Sequence, residues 1–209
     1  MFLLALAAQF SLPILANPGV SNIGGLIDFD DFPFYMYHQA RANLTVYTRT
    51  TVRPDGKIDN CFVERSSSDR ALDAFTCQLI VKRAKFLPAK WMDGSAVYGV
   101  LRVPIRWSIS EYPEKEPIVA DLELSADHLP EGAESKTRLS LQVAADESGH
   151  LVSCAEWISA KDTRQHFPEL IEAACQKATS SLVLFAPVDA SGKPVRSVQS
   201  VSVHIKLGK

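Results

Sequence analysis

The chain has 209 residues with 46% hydrophobic and 22% charged residues, an ordinary globular composition that excludes a disordered or low-complexity protein. Its net charge of −2 gives no reason to invoke nucleic acid or an anionic membrane surface. The length suits one large domain or two of about 80–100 residues.

Residues 1–16, MFLLALAAQFSLPILA, are apolar and end in the small Ala16. A run this short cannot span a bilayer as a helix, which takes ~20 residues. It reads as a secretory signal peptide, with mature protein beginning at Asn17. A membrane anchor and a different start are the alternatives. Export would place the cysteines in an oxidising compartment. Residues 17–27 lack periodicity and read as a tether.

Asp28, Asp30 and Asp31 precede Pro33, an arrangement that starts helices and predicts a short one over residues 33–41. Residues 43–53 alternate, with Leu44, Val46, Thr48, Thr50 and Val52 on one face, as in a half-buried strand. Asp55-Gly56 turns this strand into a second over residues 57–65, making an antiparallel hairpin. The cluster Ser66-Ser67-Ser68-Asp69 can cap a helix over residues 70–84, whose Leu72, Phe75, Leu79 and Arg83 share one side. Phe86-Leu87-Pro88 ends that helix. A turn at Asp93-Gly94 leads into a strand over residues 96–109, with Val97, Gly99, Leu101, Val103 and Ile105 on one face. Tyr98, Val100, Arg102, Pro104 and Arg106 lie on the other. Pro104 cannot donate to a ladder, which marks this strand as an edge.

Residues 111–136 are rich in acid, contain Pro113, Pro117 and Pro130, and read as a linker with one short strand over residues 118–124. Beyond it the plan repeats: strands over residues 139–143 and 150–158, a helix opened by Phe167-Pro168-Glu169, and a last strand over residues 195–207. Gly56 and Cys61 recur 93 residues later as Gly149 and Cys154, and Cys77, Phe86 and Gly94 recur 98 or 99 residues later as Cys175, Phe185 and Gly192. Shared order and shared turns argue for duplication of one unit.

Each unit places one cysteine in its second strand and one in its helix, which predicts bridges Cys61–Cys77 and Cys154–Cys175. Buried free thiols are the alternative. A zinc site is disfavoured, because no two cysteines have the close spacing of ligand hairpins. The five histidines are scattered, and no nucleophile elbow, phosphate-cradling loop or His-Glu helix pair occurs. No catalytic residue, metal or cofactor is expected.

The first unit resembles the C-terminal domain of TonB-type energy transducers. The resemblance rests on Phe32-Pro33, Asp55-Gly56, Ser66-Ser67, Leu72-Asp73, Arg83, Phe86, Pro88-Ala89, Asp93-Gly94, and Val103-Pro104 with Trp107. It covers residues 28–109 well and residues 137–207 weakly, since the Leu-Asp pair is missing there and Pro-Ala becomes Pro187-Val188. It implies an α+β fold of two tandem small domains, each a three-stranded antiparallel sheet packed with helices, at residues 28–110 and 137–209. It also implies a periplasmic location in a Gram-negative cell. The implied partner is an extended segment of a periplasmic or outer-membrane protein, added as a strand beside the last strand, with Tyr98, Val100, Arg102, Val103 and Arg106 as the binding edge. The physics is that an open edge offers unpaired backbone groups while alternate side chains give selectivity. A full transducer carries a transmembrane helix and a long proline- and lysine-rich spacer, which residues 1–27 do not resemble. Energy transduction with a missing or mis-assigned anchor is therefore the alternative function, and a structural or regulatory periplasmic domain is another.

Overall fold

The alternation at residues 43–53 forms β1 (Asn43–Val52), and the hairpin partner is β2 (Ile58–Arg65). They pair antiparallel with Thr50 opposite Cys61. The turn between them needs Gly56 at φ +80°, because Phe86 O lies 2.7 Å from where a Cβ would stand. A computed structural model describes residues 26–38, 43–108, 120–133, 137–158 and 166–208. The expected signal peptide and most of the tether lie outside the described residues. Among the described residues, no helix is long and apolar enough to cross a membrane.

The acids before Pro33 shape a 3-10 turn, Phe29–Asp31, in which Asp31 accepts from Asp28 N at 2.7 Å. The short helix α1 (Phe34–His38) follows. Asp69 caps α2 (Arg70–Arg83), accepting from Ala71 N and Leu72 N at 2.9 and 3.0 Å. Ser67 contributes differently from the expected cap: its N and Oγ both bond the buried carboxylate of Asp73. α2 buries Leu72, Leu79 and Ile80 against Val46, Ile105 and Trp107. Trp107 Nε1 donates to Thr76 Oγ1 at 3.0 Å, which satisfies the one polar atom of that fully buried ring.

The two-residue β3 (Ala89–Lys90) leads through the Gly94 turn into β4 (Ala96–Ser108). β1 pairs over its whole length with residues 99–108 of β4, from Asn43 opposite Ser108 to Val52 opposite Gly99. In the second half, β6 (Arg138–Ala145) pairs with β7 (Leu151–Glu156) and with β8 (Ser197–Leu207), both antiparallel. α3 (Pro168–Ser181), with Pro168 in its first turn, packs Leu170, Ala174 and Ala178 on this sheet. Both expected bridges form, each with Cα atoms 5.7 Å apart.

The two halves do not keep separate sheets. One sheet has six strands on its main path, in the order β2-β1-β4-β8-β6-β7, with β3 beside β4 off that path, and is joined where Tyr98–Val100 of β4 pair in parallel with Ser197–Gln199 of β8. A small core of Ala89, Val97, Ala144 and Val198 seals the joint. The stretch expected to be a linker also enters the sheet: β5 (Leu122–Ala126) pairs in parallel with Val203–Leu207 of β8.

The joint puts the helices on opposite faces. Gly99 shares its face with Val103 and Ile105, which pack under α2, and Gly99 is in register with Val198. Side chains alternate along a strand, so Val201, Val203 and Ile205 point to the other face, where α3 covers them. The Arg49 guanidinium on that second face stacks 4.3 Å from the ring of Phe185, just after α3. Two similar halves related by a two-fold axis along the strands would have this geometry.

Candidate strand-binding edge

The expected edge residues do not form one uniform surface. Tyr98 is half-buried and Val100 buried, and both are paired with β8 on the flank opposite β1. The expected edge is therefore corrected at its start: residues 98–100 are taken up by the chain itself. From residue 101 to 107, no described strand pairs with β4 on that flank.

Backbone direction along this stretch follows from two residues. Val103 turns its carbonyl towards β1, where it accepts from Thr48 Oγ1 at 2.9 Å. Adjacent residues of a strand present their N–H and C=O to opposite flanks. Arg102, Pro104 and Arg106 therefore offer theirs to the open side, and Pro104 contributes no donor there. This explains why a proline is tolerated in a strand that has neighbours on both sides near its start.

Beside this edge, on the α2 face, lies an apolar groove of about 530 Å³. Its floor is Leu101, Val103 and Ile105 of β4 with Ile80, Ala84 and Phe86, and its far wall is Leu26 and Ile27. Arg102, Pro104 and Arg106 also line it, so three of the expected edge residues, Arg102, Val103 and Arg106, border the groove. The wall is held by Arg83. Its guanidinium grips Asp31 with two hydrogen bonds, one of them Nη2 to Oδ1 at 2.9 Å, and donates to Leu26 O at 3.4 Å. Asp28 adds a contact at 3.7 Å. The hydrogen bond from Arg83 holds the Asp31 carboxyl below the ordinary value of 3.8, against a smaller opposing effect of burial. Arg83 is thus engaged in fixing the groove and adds no loose positive charge to it.

Arg102 pairs with Glu64 of β2 at 2.9 Å and with Asp121, which begins the path into β5. Asp121 also accepts from Ser202 N at 2.7 Å and donates its own N–H to Ser202 O at 2.9 Å. These contacts close the base of a fork where β8 leaves β4. A cleft of about 490 Å³ lies there, lined by Tyr47, Glu64, Arg102, Pro104, Val201 and Ser202. Arg106 is exposed, with its side chain on the face away from the groove.

Residues 38–109 match the family described as Gram-negative bacterial TonB protein C-terminal. No curated protein and no solved structure matches the chain. The TonB-like segment is about a third of the sequence and contains β1, β2, α2, β3 and β4. The open flank of β4 and the groove floor both fall inside it.

Sequence reasoning found the strand and its proline. It missed the groove, because its lining comes from three separate segments, residues 26–27, 80–86 and 101–106, which carry no motif for an apolar cleft. Asp121 was legible only as one acid among many.

Proposed function

We propose that the chain is a non-catalytic periplasmic protein that binds an extended segment of a partner, such as an outer-membrane receptor, as a strand along residues 101–107 of β4. One observation carries this reading: a strand flank that no described strand pairs with runs alongside an apolar groove. A segment added there would satisfy outward backbone groups of β4 and drop alternate side chains onto Leu101, Val103 and Ile105. The likeness of residues 38–109 to TonB C-terminal domains supports it. Two disulfides favour an oxidising compartment. The groove selects apolar side chains at alternate positions, and exposed Arg106 selects for an acid.

The second half is best read as a divergent copy of the first. Gly149 repeats the close approach of Gly56, its absent Cβ falling 2.6 Å from Leu184 O, and it has the same positive φ. The turn bonds repeat as well: Arg53 N to Lys57 O at 2.8 Å is matched by Asp146 N to His150 O at 3.0 Å.

The test is a proline placed by direction. Leu101 and Val103 face β1, so prolines there would break the native ladder. Arg106→Pro instead removes a donor from the open flank alone. With short synthetic peptides carrying alternate apolar residues and one acid, Arg106→Pro should abolish binding and Arg106→Glu should only weaken it. Undiminished binding by a folded Arg106→Pro chain would overturn the proposal.

A further inference from the structure

The two halves correspond residue by residue. Val52 lies opposite Gly99 as Ala145 lies opposite Ser197, so positions on β8 stand 98 residues after their counterparts on β4. Ile105 corresponds to Val203, and Trp107 to Ile205. On the helices, Ile80 corresponds to Ala178 and Ala84 to Leu182. The groove beside β4 thus has a counterpart beside β8, floored by Val201, Val203 and Ala178.

That counterpart is full. β5 runs along β8 from Val203 to Leu207, and its Leu122, Leu124 and Ala126 pack into the α3 core together with Leu182 and Leu184. Glu123, between the two leucines, pairs with Lys206 at 2.6 Å. The first half shows the same architecture, and among the described residues no strand takes the place beside residues 101–107 of β4.

We propose that the groove between β8 and α3 is a second strand-binding site, occupied here by the chain's own β5, and that an extended partner segment of the same pattern displaces it. The partner chemistry is read from the occupant: apolar residues at alternate positions, with an acid between the first two. The second half does not depend on β5 for its sheet, because β8 is held by eight paired residues of β6, and β7 is bridged to α3. β5 itself contributes five paired residues. Its start is latched by the Arg102–Asp121 pair and by the Asp121–Ser202 bonds. The inference shares with the preceding proposal the reading of such flanks as strand acceptors, but it concerns a different strand.

The probe is a fluorescent synthetic peptide with the sequence of residues 120–128, titrated against the full chain by anisotropy. The β4 flank accepts the same pattern, so every chain in the comparison carries Arg106→Pro, which silences that flank. In this background Asp121→Ala, which loosens the latch without touching the core, should bind the peptide about ten-fold more tightly than the parent, equivalent to ~1.4 kcal/mol. Glu123 and His204 are register partners, so Glu123→Cys with His204→Cys, oxidised, would lock β5 in place and should abolish binding. Equal binding by the locked and unlocked chains would overturn the inference, as would no binding by folded Asp121→Ala. Binding by the wild-type chain that disappears in every Arg106→Pro chain would place the peptide on β4 alone, which overturns the inference and sustains the β4 reading.

Discussion

Gly56 and Gly94 have nearly the same backbone conformation, φ +80° and +81°, yet their surroundings differ. A Cβ at Gly56 meets backbone oxygen at 2.7 Å, whereas at Gly94 nothing lies within 4 Å. Alanine at either position incurs the left-handed penalty of roughly 1–2 kcal/mol. Gly56→Ala must in addition push away the segment that carries Phe86 and the groove floor. Urea unfolding should therefore show Gly56→Ala as clearly the more destabilised of the two; equal losses would mean that the close approach relaxes without cost. The Arg83–Asp31 pair makes a second prediction at this scale. The folded pKa of Asp31 is depressed, so its contribution to stability is present above the ordinary carboxylate value of 3.8 and fades as pH falls through the lower folded value. Arg83→Met should flatten that part of the acid-side stability curve, read by urea midpoints between about pH 5 and pH 2. An unchanged slope would show that the pair does not couple to folding. Both glycines were legible as turn residues. The pairing of Arg83 with Asp31 was not, since 52 residues separate them and periodicity carries no such information.

Each bridge ties a strand to the helix that follows it, β2 to α2 and β7 to α3, over separations of 16 and 21 residues. On the chain-entropy estimate a loop of this size contributes ~3 kcal/mol, and the dependence on length makes the two differ by only about 0.2 kcal/mol. Removing either bridge as a Cys-to-Ala pair should cost about 2–5 kcal/mol. Thermal and urea unfolding of the two variants should give similar losses; a large difference would assign the excess to local packing, not to loop closure. The bridges were readable because strand and helix periods are strong local signals and a cysteine sat in each. The same alternation revealed β4 and β8 as strands. β3 was missed because two residues make no pattern, and β5 was placed some residues early because prolines and acids around it obscure its alternation.

At the scale of the molecule the sequence left open what mattered most, namely which strands meet. Alternation fixes a strand's faces and says nothing about its flanks. The expected outcome was two separate sheets, each with its last strand at an edge. Instead the two last strands meet each other over three residues, and the burial of Val97, Val198 and Ala144 rewards that meeting. Those residues read equally well as interior positions of two isolated sheets, so nothing local distinguished the outcomes. The joint also consumes part of the expected edge, which is why Tyr98 and Val100 leave the candidate site while Arg102, Val103 and Arg106 remain beside the open stretch.

The parallel sense of that joint has a directional consequence. β4, β8 and β5 all run the same way. A strand seated beside β4 as β5 is seated beside β8 would share that polarity. Two guests would then lie in the same sense, with their N-termini leaving from one end of the sheet and their C-termini from the other. A partner presenting two such segments on tethers rooted at the same end could engage both places at once, and the second contact would be favoured by effective concentration. Tethers arriving from opposite ends could not reach both unless they were long enough to wrap the sheet. The protein would thereby discriminate between arrangements of its partners as well as between their sequences.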